Sequence, residues 1–179
     1  MKNKTILRII AALIILVGFP RAQEKEQKIE LPQLTLEEKW ETAESNLYYF
    51  ICCGIAYAKS KGDSPEEFGT FTGEVAAPSW EKGKAKGPAY LVRGISWNKQ
   101  QFNGFKLEIL AESESSIRGR MNIPWEDVIK ERSKRYGVSV DEFNRFFEKK
   151  WEAIADYLGL EYKQKVEEDW IVFTVTEKN

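Results

Sequence analysis

The sequence predicts an α+β fold in which an antiparallel sheet of four to five strands packs against two helical hairpins, in the order ααβββααββ. Three observations carry this expectation. Capping boxes at Thr35, Ser64 and Ser139, each followed three residues later by Glu, mark helix starts. Two regions, 105–123 and 160–176, show the apolar and polar alternation of strands. Pairs of helical segments alternate with groups of strands, which separates this pattern from the strict βαβ alternation of a parallel sheet.

The first helix follows from Thr35-Leu36-Glu37-Glu38, after which Trp40, Ala43, Leu47, Phe50 or Ile51, Gly54 and Ala58 recur at helical spacing up to Gly62. Between Leu47 and Ala58 the segment is apolar nearly all round. Such a helix is expected to be buried on more than one face and to run through the domain centre. Ser64-Pro65-Glu66-Glu67 opens the second helix with Pro at its first position, and Pro78 closes it. Residues 81–88 are rich in Lys and Gly without periodicity and read as a mobile surface loop. Tyr90 to Trp97 then reads as a first strand.

Next come Phe105, Leu107, Ile109 and Ala111 alternating with Lys106, Glu108 and Glu112. Ile117, Gly119, Met121 and Ile123 then alternate with Ser116, Arg118, Arg120 and Asn122. With Ser113-Glu114-Ser115 as the turn, this is a hairpin apolar on one face, as expected of a sheet covered on one side by helices. A third helix runs from Pro124 to Gly137. The fourth starts at the Ser139 capping box and carries Phe143, Phe146, Phe147, Trp151, Ile154 and Leu158 to Gly159. Leu160 to Val166 and Trp170 to Thr176 complete the sheet. Residues 62–68 echo residues 137–143, which suggests either internal duplication or the resemblance that any helix stop followed by a capping box produces.

Ahead of this domain, Lys2, Lys4 and Arg8 precede the apolar run Ile9 to Phe19, followed by Pro20-Arg21-Ala22 and a polar stretch. That order is the pattern of a signal peptide over residues 1–22, with residues 23–34 a flexible lead-in and residues 35–179 one domain. The apolar run is about half the roughly 20 residues of a spanning helix. The expected location is therefore outside the cytoplasmic membrane, periplasmic or secreted. Contact with the membrane is expected only if the N-terminal segment is retained as an anchor.

Removal of residues 1–22 takes four basic residues and no acidic ones from totals of 27 and 28, leaving 23 against 28. The mature chain is therefore acidic, which argues against nucleic acid as a partner, since phosphate backbones are held by clustered Lys and Arg. Histidine is absent. Its absence removes Ser-His-Asp and Cys-His catalysis, His-ligated zinc and the usual general base near neutral pH. No glycine-rich phosphate loop is present, and neither a metal nor a cofactor is expected.

Three sets of residues remain as candidates. Cys52 and Cys53 are the only cysteines and are adjacent in a helix, where a mutual disulfide is geometrically unfavourable. They are the weak catalytic candidates, for a cysteine-dependent hydrolase or transferase, although an apolar helical setting raises a thiol pKa and fits structural cysteine. Arg118, Arg120 and Asn122 project from one strand face, with Arg93 expected on a nearby strand. They suit bidentate anion binding, or pair across the hairpin with Glu108 and Glu112. Among Tyr48, Tyr49, Trp80, Trp97, Trp125 and Trp151, most are expected in the core. Trp80 and Trp97, beside the 81–88 loop, are the ones packing explains least.

The leading expectation is a non-catalytic exported or envelope domain. It would bind a small molecule or protein partner through an aromatic-rich cleft formed by Trp80, Trp97, Arg93, Arg118, Arg120 and Asn122. A structural or assembly subunit of the envelope is the further alternative.

Overall fold

In the computed structural model, residues 32–178 are described; the expected signal peptide and most of the lead-in lie outside the described residues. The Thr35 hydroxyl accepts from the Glu38 backbone N–H at 3.2 Å, and the Glu38 carboxylate accepts from the Thr35 N–H at 2.7 Å. This reciprocal cap starts α1, Leu36–Lys61, which ends on Gly62 with a left-handed φ of 96°. Matching caps at Ser64 and Ser139 start α2, Pro65–Ala76, and α5, Val140–Tyr157. Between them lie a 3-10 helix, Ala77–Gly83, then α3, Gly87–Lys99, β1, Leu107–Glu112, β2, Ser116–Asn122, and α4, Glu126–Tyr136. The chain closes with β3, Leu160–Glu167, and β4, Trp170–Glu177.

The α+β class and the two C-terminal elements of the sheet agree with the sequence. Two other expectations need correction. Tyr90 to Trp97 is helical, not a strand, so the sheet has four strands and the order is αααββααββ with the 3-10 helix after the second α-helix. Pro88, Leu91, Val92, Ile95 and Lys99 form the buried stripe of α3. These positions recur every three to four residues, a helical period. The 81–88 segment is likewise not a featureless loop. Its first half is the end of the 3-10 helix, where Gly83 lies so close to the Tyr90 ring that a Cβ would meet it at 2.1 Å.

α1 also differs from expectation. Its buried residues are Tyr48, Cys52, Ile55 and Ala58, a single stripe, while Tyr49, Phe50 and Tyr57 on its other sides are exposed. Apolar composition all round a helix did not translate into burial all round, because α1 meets its neighbours on one side only.

The sheet order is β1-β2-β4-β3, every pairing antiparallel. Ile117 and Met121 of β2 and Ile171, Phe173 and Val175 of β4 point into the core, where they meet the helices. The alternate residues face away. A register shift between Ile109 and Ala111 breaks the alternation of β1, leaving Ile109 and Leu110 about half exposed. α2 and α5 cross closely: a Cβ on Gly69 would lie 2.3 Å from the Phe146 carbonyl oxygen, and one on Gly73 would lie 2.5 Å from that of Lys150.

Candidate functional site

Lys99 occupies the last position of the buried α3 stripe, where the helical period calls for an apolar residue. It is 1 % exposed. Its Nζ sits 3.0 Å from the centroid of the Phe147 ring, 4.1 Å from that of Trp125 and 5.3 Å from that of Phe102. No hydrogen-bond partner among the described residues reaches it.

Two effects oppose each other at this nitrogen. Aromatic faces attract an ammonium by about 2 kcal/mol when it is desolvated, whereas burying an unpaired ion costs several kcal/mol. Burial wins and pushes the Lys99 pKa well below the ordinary lysine range, with repulsion from Lys150 adding to it. Lys150, on α5, is also lowered by burial. Its Nζ lies 5.8 Å from the same Phe147 ring and 5.4 Å from that of Trp151.

Both lysines line a cavity of about 260 Å³. α1 contributes Leu47, Phe50 and Ile51, and α2 contributes Phe68 and Thr72. The end of α3 and the turn after it supply Asn98, Gln101 and Phe102, and α5 supplies Phe146, Phe147 and Trp151. Phe50, 69 % exposed, and the exposed Gln101 carry the cavity to the surface. The Trp151 indole N–H is a second buried donor without a partner. Among the described residues no Asp or Glu lines this space. The open volume therefore lies among helices, with α1 forming one wall.

The six residues singled out from the sequence fall into two groups. Trp80, Arg93 and Trp97 come together with Tyr90 along an open groove of about 740 Å³. Arg93 and Trp97 are one turn apart on α3, so Arg93 stands on a helix and not on a strand as expected. Trp97 is 79 % exposed, while Trp80 packs edge-on against Tyr90 and Trp151. Arg118, Arg120 and Asn122 instead stand on the sheet face turned away from the helices.

Arg120 donates to Glu108 at 2.7 Å and lies over the Trp170 ring at 4.3 Å, the cross-strand pairing that the alternation allows. The Asn122 side chain accepts from the Lys106 N–H at 2.7 Å and donates to the Gly104 carbonyl at 2.9 Å, closing the entry to β1. Tyr48, Trp125 and Trp151 are core residues. Trp125 donates to the buried Asn144 side chain at 2.8 Å.

Cys52 and Cys53 are both free thiols. Cys52 is fully buried, and burial pushes its thiol up to about 11, with Arg132 offsetting only part of the effect. That is opposite to the lowered pKa of a nucleophilic cysteine. Among the described residues no three His, Cys, Asp or Glu side chains converge to hold a metal ion, and no helix is long and apolar enough to cross a membrane.

Comparison with protein-family models, with curated proteins and with solved structures finds no match to this chain. The fold and the cavity therefore define the class: a four-stranded antiparallel α+β domain with an aromatic cavity among its helices.

Proposed function

We propose that this chain is an exported domain that binds a small, largely apolar molecule, without catalysis, in the aromatic cavity bounded by α1, α2, α5 and the end of α3. The observation that carries the reading is an accessible, aromatic-walled space whose lining includes Lys99 and Trp151, each with a buried polar atom that lacks a partner among the described residues. Binding cavities combine such a wall with a few polar groups that orient the ligand. Its volume lies just under the ~300–1,000 Å³ of typical ligand sites, which favours a compact ligand. Trp80, Arg93 and Trp97 supply an open groove instead, with less enclosure for a small molecule.

The neutral dye N-phenylnaphthylamine, titrated into the purified full chain, is expected to brighten saturably, and Thr72→Phe, which fills the cavity, is expected to abolish the signal. An unchanged titration in that variant counts against the site. Export predicts a mature N-terminus at Gln23, read by N-terminal sequencing of protein recovered from outside the cytoplasm; recovery of the whole chain in the cytoplasm alone removes that part of the reading.

A second reading, an assembly subunit, draws on the exposed apolar side chains Phe50 and Tyr57 of α1 and Phe71 and Val75 of α2. A mass that rises with protein concentration in analytical ultracentrifugation supports it, and a constant monomer mass removes it.

A further inference from the structure

We propose that the cavity selects an organic acid, a monocarboxylate with a compact apolar tail of octanoate or hydrocinnamate size, whose head group is held by Lys99 with Lys150 beside it. The proposal deepens the binding reading above and rests on it. Two amines from different elements reach the same ring, Phe147, and both line the cavity. Neither is answered by an acidic group. Among the described residues no Asp or Glu lines the space, burial alone displaces Lys150 from its ordinary range, and the one charged group acting on Lys99 is Lys150. A buried donor left without a partner is a standing energetic penalty that a ligand acceptor removes on entry.

The rest of the wall narrows the chemistry further. Phe68, Phe102 and Phe146 offer an apolar surface to a tail. A cation finds no Asp or Glu among the lining residues to pair with, and a neutral hydrocarbon leaves the Lys99 amine and the Trp151 N–H unanswered. Phosphate groups are commonly held by several backbone N–H groups or bidentate guanidinium, and the cavity lining includes no Arg. A carboxylate needs only a point donor and brings its own apolar tail. The acid enters as its carboxylate, and where the Lys99 amine lacks its proton an N–H bond forms there as an O–H bond of solvent or buffer acid breaks, giving a carboxylate and an ammonium in contact. One proton moves and nothing else is exchanged.

Isothermal titration calorimetry of the full chain with octanoate and with its neutral isostere octanamide tests the proposal. Octanoate is expected to bind about tenfold more tightly, the ratio that one charge-assisted hydrogen bond supplies. Lys99→Met, which keeps an unbranched apolar stem, is expected to abolish the preference, so that octanoate binds no more tightly than octanamide. Lys150→Met is expected to weaken octanoate by a smaller factor. Equal binding of the two probes to the native chain, or a preference that survives both substitutions, overturns the acid while leaving an apolar site standing. If neither probe binds but the dye does, the acid is likewise overturned. If dye and probes all fail, the cavity is no binding site and both readings fall.

Discussion

Lys99 is the residue whose energetics stand out, because its amine is enclosed by Phe102, Trp125 and Phe147 without a hydrogen bond. Leaving such a group unsatisfied costs about 1–3 kcal/mol. Lys99→Met is therefore expected to stabilise the protein at neutral pH by roughly that amount, measured by urea unfolding. The same group has a pH signature. Its folded pKa lies well below the ordinary 10.5, so between the two values the unfolded chain binds a proton that the folded chain does not. Stability gained from this residue thus rises with pH through that window and is constant above 10.5. Other shifted groups are common to both proteins, so the difference between native and Met variant should shrink as pH climbs toward 10. Cys52 gives a second prediction at this scale. With its thiol pushed up to about 11 and fully buried, native protein at pH 7 is expected to leave Cys52 unlabelled by a thiol reagent, and denatured protein to expose both cysteines. Rapid native labelling mapped to Cys52 revives the cysteine-enzyme alternative.

Among elements, the α2–α5 crossing holds one wall of the cavity. Gly73 allows it, since a Cβ there would meet the Lys150 carbonyl oxygen at 2.5 Å and the Ala153 Cβ at 2.7 Å. Alanine gains about 1 kcal/mol of helix propensity over glycine, but backbone atoms cannot swing aside as a side chain does. Gly73→Ala is expected to lower stability by a net of roughly 1–3 kcal/mol, seen as a reduced thermal midpoint. What sequence could reveal divides along the same line. The starts of α1, α2 and α5 were readable because a capping box is a local exchange of hydrogen bonds among four residues. α3 was not, because Tyr90, Leu91, Val92, Ile95 and Trp97 carry strand-favouring side chains at short spacing, and only packing against β2 and β4 chooses between periods. Reading that segment as a strand hid Lys99. The signal was present, since Leu91, Val92, Ile95 and Lys99 share one helical stripe, but a lysine at the fourth position reads as the end of the apolar pattern. Trp80, Arg93 and Trp97 lie along one groove, although the sequence sets Arg93 on a strand beside Arg118, Arg120 and Asn122; the separation of those three depends on which sheet face the helices cover.

At the scale of the whole molecule, a pair of helices followed by a hairpin occurs twice, with the 3-10 helix and α3 inserted in the first occurrence. The two hairpins meet through β2 and β4 at the middle of the sheet, and α2 meets α5 above it. This order is symmetric: exchanging the hairpins returns β1-β2-β4-β3 to itself. The echo between residues 62–68 and 137–143 falls at equivalent places, at the left-handed glycines Gly62 and Gly137 and the caps Ser64 and Ser139. Burial is nevertheless unequal between the halves. Trp151, Phe143, Ile154 and Ala155 of α5 are fully buried, as are Met121, Ile171 and Val175 at the sheet centre, whereas β1 contains no fully buried residue and is interrupted by its register shift. Local opening costs least where few apolar contacts are lost. Native-state hydrogen exchange is therefore expected to rank the strands unevenly, with amides of β1 exchanging first through local fraying and those of β2, β4 and α5 last, near the global unfolding limit. Because the cavity rests on α5 and on the tail of α3, an acid bound at Lys99 should slow exchange in α5 and around Phe102 without changing β1. Protection that instead appears along the outer sheet face, at Arg118 and Arg120, would move the binding site to that face.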